Sequence, residues 1–273
     1  MKWAAAVPLC LAVCSLAGGF AAPALADDAP PYAPITIPLD LKQVPGKPIW
    51  YSTGNPGIPG KDNEGNTSNA GFVVTSGGVA VVDALGTPSH GWALLQAIRK
   101  ISDKPIRYVI ASHYHADHIY GLQAFKDHTD ALIVAQERAG EYKENNEETA
   151  DEKADARLEQ RRGALYPWVD DKTRVVPPDI TFRDRMAIAL GDRRLTLIYA
   201  GPAHSSSDMM MMVEPDKVLF AGDIVQNSRI PHMNSDDVST VQWLNALAEV
   251  EKLDPAFIIP GHEIGRASCR ERV

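Results

Sequence analysis

The chain has 273 residues, 45% of them apolar and 23% charged, which suits one large or two small packed domains and excludes a disordered chain. Its 35 acidic against 27 basic residues leave a net charge of −8. That balance argues against a protein that grips nucleic acid by its phosphates, since such a grip needs a basic face.

Lys2 opens the chain, an uncharged apolar stretch runs from Trp3 to about Ala22, and Ala24-Leu25-Ala26 precedes Asp27-Asp28. A positive start, an apolar middle and a small-x-small end read as a secretory signal peptide over residues 1–26, cleaved after Ala26. A membrane anchor and a lipoprotein signal ending at Cys14 are the rival readings. Pro8, Gly18-Gly19 and Pro23 weaken a continuous span, and Val13 is large for a lipobox. The mature protein is thus expected in the periplasm or outside the cell, with no stable membrane insertion. Cys10 and Cys14 leave with the signal, so Cys269 remains alone and no internal disulfide forms. Thiolates drop out as metal ligands.

Residues 27–47, rich in Pro and Asp, read as an extended leader before a folded domain at 48–262. A first strand is predicted at 49–53. The stretch 54–65 (GNPGIPGKDNEG) is a turn-rich loop, either a flap over the site or a plain surface turn. Runs at 71–75 and 79–83, split by Ser76-Gly77-Gly78, read as a hairpin. Pro88 and Ser89 open a helix with an apolar stripe at Trp92, Leu94, Leu95 and Ile98, which stops before Pro105. A short strand follows at 106–111. Residues 136–165, charged and Ala-rich, read as helix with a solvated face. Strands are predicted at 180–182, 186–190, 195–200, 209–213 and 218–220, then a helix at 238–253 and a last strand at 256–259. The run Met209 to Met212 reads as a buried strand that uses Met as a flexible packing residue. Strand and helix alternate on both sides of 136–165, which points to a layered α/β architecture with two similar halves. Residues 263–273 (EIGRASCRERV) have no apolar period and resemble the translation of a sequencing adapter. They are expected to be an atypical, artefactual tail, with Cys269 spurious.

Chemistry concentrates where the strand at 106–111 runs into Ser112-His113-Tyr114-His115-Ala116-Asp117-His118. Imidazole nitrogen and carboxylate oxygen are the donors that Zn²⁺ takes when thiolates are absent. In an extended loop, positions 113 and 115 project to one side and share an ion; past a turn, 117 and 118 reach a second. Packing these groups together without a cation costs desolvation and gains nothing. Three more polar residues follow apolar runs: His204 after Gly201-Pro202-Ala203, Asp223 after Ala221-Gly222, and His262 after Pro260-Gly261. Loops held by a rigid sheet are the usual place for site residues, and the small residues let the backbone crowd toward a shared centre.

Taken in order, HxHxDH, a later His after a Gly-containing turn, Ala-Gly-Asp and Pro-Gly-His resemble the metallo-β-lactamase superfamily, over roughly residues 71–262. Asp83 stands where that superfamily has an early strand-end Asp. The stretches YGLQAF, RLEQRR, YPWVDD and YAGPAHS resemble an exported branch found among sulfur-oxidation and quinoprotein-dehydrogenase relay proteins. The resemblance implies an α/β fold of four layers, an αβ/βα sandwich. It implies two Zn²⁺ per chain, one on His113, His115 and His204, the other on Asp117, His118 and His262, with Asp223 bridging and Asp83 orienting ligands. It also implies an exported hydrolase that attacks an ester, thioester, lactone or β-lactam of a small molecule with a metal-bridging hydroxide. Asp117 and Asp223 are its catalytic carboxylates, and Asp117 helps to orient the water. Tyr114 and Tyr120 are the candidates for the leaving-group acid. An Asp at 223 resembles the thioesterase, lactonase and phosphodiesterase branches more than dedicated β-lactamases. Two alternatives share the ligand set: a mononuclear iron enzyme like persulfide dioxygenases, and a non-catalytic partner in a quinoprotein relay. His90, His128 and His232 match no ligand position, and of these His232 is the one to reconsider for substrate contact.

Overall fold

The computed structural model describes residues 30–55, 57–142, 150–227 and 238–263, and the folded unit begins at Tyr32. The expected signal peptide, His232, and residues 264–273 with Cys269 lie outside the described residues. No helix among the described residues is long and apolar enough to cross a membrane.

Two sheets organise the chain. The first has seven strands in chain order: β1 (Asp40–Gln43), β2 (Ile49–Thr53), β3 (Ala70–Thr75), β4 (Gly78–Val82), β5 (Ile106–Ile110), β6 (Leu132–Gln136) and β7 (Ile180–Phe182). Pairing is antiparallel up to β4 and parallel from there on. The second sheet has the order β12-β11-β10-β9-β8, built from β8 (Arg185–Leu190), β9 (Arg193–Tyr199), β10 (Met209–Glu214), β11 (Val218–Gly222) and β12 (Phe257–Pro260). Only β11 and β12 run parallel in it. The helices are α1 (Pro88–Ile101), α2 (Ala116–Ile119), α3 (Leu122–His128), α4 (Ala150–Leu165) and α5 (Thr240–Leu253), with a 3₁₀ turn at Glu137–Tyr142.

The layering follows from strand alternation. Side chains of a strand point to opposite faces in turn, and here both faces are buried. Along β4, Val79 and Val81 join an apolar cluster with α1, α3 and α4, while Ala80 and Val82 join a cluster between the sheets. Along β10, Met209, Met211 and Val213 face the other sheet, and Met210 and Met212 face Trp243, Ala246 and Val250 of α5. Three apolar clusters therefore separate four layers: helices, sheet, sheet, helix. The methionine run is a strand buried on both sides, so its near-continuous apolar character is what such a position demands.

Local signals set the ends of the elements. Thr87 caps α1 by accepting from the His90 N–H, and Pro88 occupies the first turn, where a missing N–H costs nothing. Helices α1 and α3 approach at Gly91 and Gly121; a Cβ at Gly121 would overlap the Ala84 carbonyl. Of the described residues in 136–165, Gln136 ends β6, Glu137–Tyr142 form the 3₁₀ turn and Ala150–Leu165 form α4. This helix is not wholly solvated: Leu158 and Leu165, seven residues apart on one face, enter the helix-side cluster. Arg162 ties its end to the next loop by donating to the carbonyls of Asp170 and Thr173. Residues 40–43, read from sequence as leader, form the edge strand β1. Upstream, Thr36 donates from N–H and hydroxyl to the buried Glu64 carboxylate. Leu132–Gln136 is β6; the sequence reading named no element for 132–135 and placed Gln136 in the helix.

Candidate metal centre

The candidate ligands sit at strand ends that the topology brings together. β4 and β5 run parallel, so Asp83 and the loop 111–115 leave the first sheet at the same end. In the second sheet β9, β11 and β12 share one direction, with β10 opposed. His204, Asp223 and His262 therefore emerge together. The sheets are tied at this end by Met209 N–H donating to the Ser112 carbonyl and Asn69 N–H to the Gly261 carbonyl. On the short α2, Asp117 and His118 fall in the first turn, while His113 and His115 precede it.

Within the structure all seven residues meet. His113, His115 and His204 form one group whose donor atoms lie within 4.8 Å of one another, and Asp117, His118 and His262 form another. His115 Nδ1 is 3.1 Å from His113 Nε2 and 2.8 Å from His204 Nε2. His118 Nε2 is 3.4 Å from His262 Nε2, and Asp117 Oδ2 is 3.4 Å from His262 Nε2. Asp223 joins the groups: its Oδ2 is 3.2 Å from both His204 Nε2 and His262 Nε2, and its Oδ1 is 3.4 Å from His118 Nε2. Of the seven, His115 and Asp117 are partly exposed and the rest are buried.

Hydrogen bonds behind the ligands fix which nitrogen faces the centre. Asp83, held in the left-handed region at φ 58°, accepts from Ser112 N–H at 2.7 Å and from the Ser112 hydroxyl at 2.8 Å. That hydroxyl has donated to Asp83 and so accepts from His113 Nδ1 at 3.0 Å. Asp83 Oδ2 also accepts from His118 Nδ1 at 2.9 Å, and the Thr67 carbonyl accepts from His262 Nδ1 at 2.7 Å. His113, His118 and His262 therefore all present an Nε2 lone pair to the same small volume. This is the usual way a protein sets the tautomer of a metal-binding His. Lone pairs 3 Å apart repel unless a proton or a cation lies between them, so the donor set fits a metal. Asp223 Oδ1, buried and without a hydrogen-bond partner, points the same way.

The charge balance agrees. Burial, reinforced by neighbouring imidazoles, holds His113 well below the ordinary histidine range and His115 down at about 3; burial also lowers His204. These three are neutral, the form that binds metal. Burial opposes charge on His118 too, but Asp83, Asp223 and Asp117 outweigh it and lift His118 well above its usual value; for His262 burial is likewise outweighed, chiefly by Asp223, and its pKa is raised. Burial would raise the two carboxyls, yet the imidazoles of His118 and His262 keep Asp117 down at about 2 and Asp223 well below the carboxylate range. Where protons would otherwise sit between carboxylates and imidazoles, a divalent cation can replace them.

Glycine makes room for this crowding. A Cβ at Gly261 would overlap Asp223 Oδ1, and Gly222, at φ 50°, lies against the Ser112 side chain. Sequence reasoning missed one functional carboxylate. Asp208 is 2% exposed and accepts from the N–H groups of Ala203, His204 and Ser205 at 3.1, 2.6 and 2.8 Å, and from the Ser205 hydroxyl at 2.7 Å. It thereby shapes the loop that carries His204. Its signal was available as an acidic residue four positions after that His, opening a strand with no other charge before Glu214. Trp243 of α5 also supports the site. Its ring meets that of His204 edge-on at 5.7 Å, and its indole N–H donates to the Ile224 carbonyl, beside Asp223.

Of the two tyrosines expected near a leaving group, Tyr120 is buried in the helix-side core, which removes it from the site, whereas half-buried Tyr114 lies edge-on to His115. His90 is fully buried at the start of α1, and His128 packs with Trp92 and Tyr32; neither reaches the centre. The loop 54–65 closes on itself through Asn55 N–H and the Asn66 carbonyl, and at its base Thr67 and Ser68 donate to Asp117.

A family model described as the metallo-beta-lactamase superfamily matches residues 64–262. The linear primary-alkylsulfatase of Pseudomonas sp. (strain ATCC 19151) is 21% identical over 215 residues, 68% of this chain and 39% of that protein. Acyl-coenzyme A thioesterase MBLAC2 of Bos taurus is 28% identical over 165 residues, 56% of this chain and 54% of that protein. The chain thus spans about half, or less, of the length of these curated relatives. Among solved structures, a metallo-beta-lactamase from Pontibacter korlensis superposes with a TM-score of 0.61 at 18% identity, covering 83% of this chain and 92% of that one, a likeness of fold.

Proposed function

The chain belongs to the metallo-beta-lactamase superfamily, and from that premise we propose that it is an exported hydrolase using two zinc ions to cleave a carbonyl-type bond: an ester, a thioester, a lactone or a β-lactam. One observation carries the reading. The Asp223 carboxylate lies between two complete donor groups, its Oδ2 3.2 Å from a histidine of each. A site for a single ion would need only one of the groups.

His113, His115 and His204 would hold one ion, Asp117, His118 and His262 the other, and Asp223 both. Bound zinc would supply Lewis acidity, which lowers the pKa of water to about 7 and polarises a carbonyl oxygen. The chain supplies the rest. Asp117 is ionised and is the most exposed carboxylate of the centre, at 17%. It accepts a hydrogen bond from an attacking water and orients it. Asp83, Ser112 and the Thr67 carbonyl keep three imidazoles turned toward the centre. No residue of the chain needs to act as a covalent nucleophile. The thioesterase relative supports thioesters as the first substrates to try, and the alkylsulfatase relative adds sulfate esters to the panel.

Metal analysis of the purified protein, with a panel of esters, thioesters, lactones, lactams and sulfate esters, tests the reading. About two zinc per chain, with cleavage abolished by a chelator and by Asp223→Ala, is expected. One iron per chain would favour the oxidative alternative, and metal without cleavage of any substrate would favour a binding role in a relay. Export rests on the signal-like residues 1–26. Mass spectrometry of the secreted or periplasmic form should find Asp27 at the N-terminus, and an uncleaved chain retained in the cytoplasm would refute export.

A further inference from the structure

The leader that precedes the first sheet is fastened to the folded domain at three places. Tyr32 sets its ring against Trp92 and His128, at centroid distances of 6.3 and 5.8 Å, and its hydroxyl donates to Asp127 Oδ2 at 2.9 Å. The Trp168 indole N–H donates to the Pro34 carbonyl at 3.0 Å. Thr36 and Ile37 then close on Glu64. Thr36 N–H donates to Oε1 at 2.9 Å, the Thr36 hydroxyl donates to the same oxygen, and Ile37 N–H donates to Oε2 at 3.4 Å. Glu64 is 1% exposed, although Glu is seldom buried. It also stands in the left-handed region at φ 53°, a strained conformation that persists only where the surroundings fix it. A buried carboxylate needs hydrogen-bond donors, and here the leader provides them. His90 Nε2 also faces this carboxylate, but at 3.9 Å it is too far to donate.

The residues that follow Glu64 run to the metal centre. All of 64–69 are buried. A Cβ at Gly65 would meet Leu165 Cδ1 at 2.7 Å and Thr87 Cγ2 at 3.1 Å, so the segment lies tightly against the end of α4 and the cap of α1. Two residues further, the Thr67 carbonyl accepts from His262 Nδ1 at 2.7 Å, and the Thr67 hydroxyl donates to Asp117 Oδ2 at 3.4 Å. The Ser68 hydroxyl donates to the Asp117 carbonyl. Asn69 holds the backbone before His262, its Nδ2 donating to the Pro260 carbonyl at 2.8 Å and its N–H to the Gly261 carbonyl at 2.6 Å. Among the described residues, the hydrogen bonds that 64–69 makes to metal donors thus go to Asp117 and His262, both of the second group, and none goes to His113, His115 or His204. We propose that Glu64 is a positioning residue for the second donor group: seated on Thr36 and Ile37 of the leader, it sets the 64–69 segment that aims Asp117 and His262. This role rests on the two-ion reading for the presence of the second ion, and not on hydrolysis. It makes residues 32–37 part of the support of the metal site rather than a spacer.

The experiment isolates each donor group in the full chain. His204→Ala leaves the second group as the complete one, and His262→Ala leaves the first. Zinc affinity is read by competition with a chromophoric chelator, without turnover. In the His204→Ala chain, Glu64→Ala should weaken zinc binding about 10–100-fold. Thr36→Val, which removes one donor, should weaken it by less, and Glu64→Gln, which keeps one oxygen for Thr36 N–H, should recover part of the loss. In the His262→Ala chain the same three changes should leave zinc affinity within about twofold. Equal losses in the two backgrounds would mark a merely structural role. That result, no loss in the first background, or a His204→Ala chain that takes no zinc at all would overturn the assignment. The zinc count of the wild-type chain tests the two-ion reading separately. Two zinc per chain with no effect of Glu64→Ala upholds the two ions and overturns the positioning role; one zinc per chain, weakened by Glu64→Ala only where the second group is intact, does the reverse. Should Glu64→Ala fail to fold, Glu64→Gln and Thr36→Val, the latter at an exposed residue, decide between these outcomes.

Discussion

Replacing Asp208 by alanine should damage the protein at a distance from any ligand atom. The carboxylate receives three backbone N–H groups and a hydroxyl from residues 203–205, all in a buried loop. Truncation leaves the N–H groups of His204 and Ser205 and the Ser205 hydroxyl without this acceptor, while Ala203 N–H keeps its bond to the Gly201 carbonyl at 2.8 Å, and each such loss costs about 1–3 kcal/mol. Because the loop can relax, the lower figure is the safer, giving a total of about 3 kcal/mol. For a domain of this size that is a fall in Tm of about 6–12 °C. His204 is one of the residues whose N–H is released, so its imidazole loses its aim, and zinc in the first donor group should bind about 10–100-fold more weakly. Asp208→Asn keeps one oxygen for the N–H groups and should recover part of the stability. Thermal melts of the apo and zinc-loaded forms, with a zinc count per chain, measure both effects. An alanine variant within 1 kcal/mol of wild type that keeps its full zinc content would refute the reasoning, since the loop would then hold its shape without the carboxylate.

Three further perturbations follow from the same geometry. Gly261→Ala drives a Cβ into Asp223 Oδ1 and should cost at least one zinc per chain; a wild-type zinc count in this variant would show that Asp223 does not need its present position. Asp83→Asn weakens the acceptor for His118 Nδ1 and the Ser112 hydroxyl, so zinc in the second donor group should bind about 10–100-fold more weakly in competition with a chelator, and unchanged affinity would contradict the orienting role. His90 is held neutral by burial, its pKa lowered to about 4, whereas in the unfolded chain it sits near 6.5. The stability this provides is present above about pH 6.5 and is lost as pH falls toward 4, roughly 3 kcal/mol in all; His90→Gln should remove that part of the pH slope in denaturant titrations, and parallel slopes for variant and wild type would sink the assignment.

Much of the fold was legible because its signals are local. The β-branched, valine-rich run at 79–82, the apolar stripe of α1 and the Pro88-Ser89 start of that helix each report their element directly. The metal centre was legible for another reason: donor residues with small neighbours stand immediately after strands, and few side-chain types suit a cation. What sequence could not give depends on partners distant in the chain. β1 exists because β2 offers it an edge, and nothing in residues 40–43 states that. The helical reading of 136–165 followed composition, whereas the anchoring of α4 depends on Leu158, Leu165 and Arg162 meeting a core and a loop elsewhere. For Asp208 the sequence offers only an acidic residue four positions after His204, and what it holds depends on the 203–205 backbone folding over it. The exclusion of Tyr120 likewise required knowing which side of the first sheet α2 covers.

The same topology explains why the donors divide as they do. His113 and His115 come from the first sheet and His204 from the second; Asp117 and His118 come from the first and His262 from the second. Each proposed ion would therefore draw ligands from both sheets, and Asp223 would couple the two ions from the side of the second. The inter-sheet core of Val82, Ile110, Met209 and Phe220 packs the sheets face to face, and the site stands on that packing. It needs the fold to set a separation, because the imidazoles of one sheet reach those of the other only if the core beneath them has the right thickness. Core volume thus becomes a determinant of metal affinity: a methylene added or removed under the site moves the ligands that stand on either sheet. The side chains between Ser112 and Met209, where the sheets are hydrogen-bonded at this end, are the ones for which packing and coordination are a single constraint.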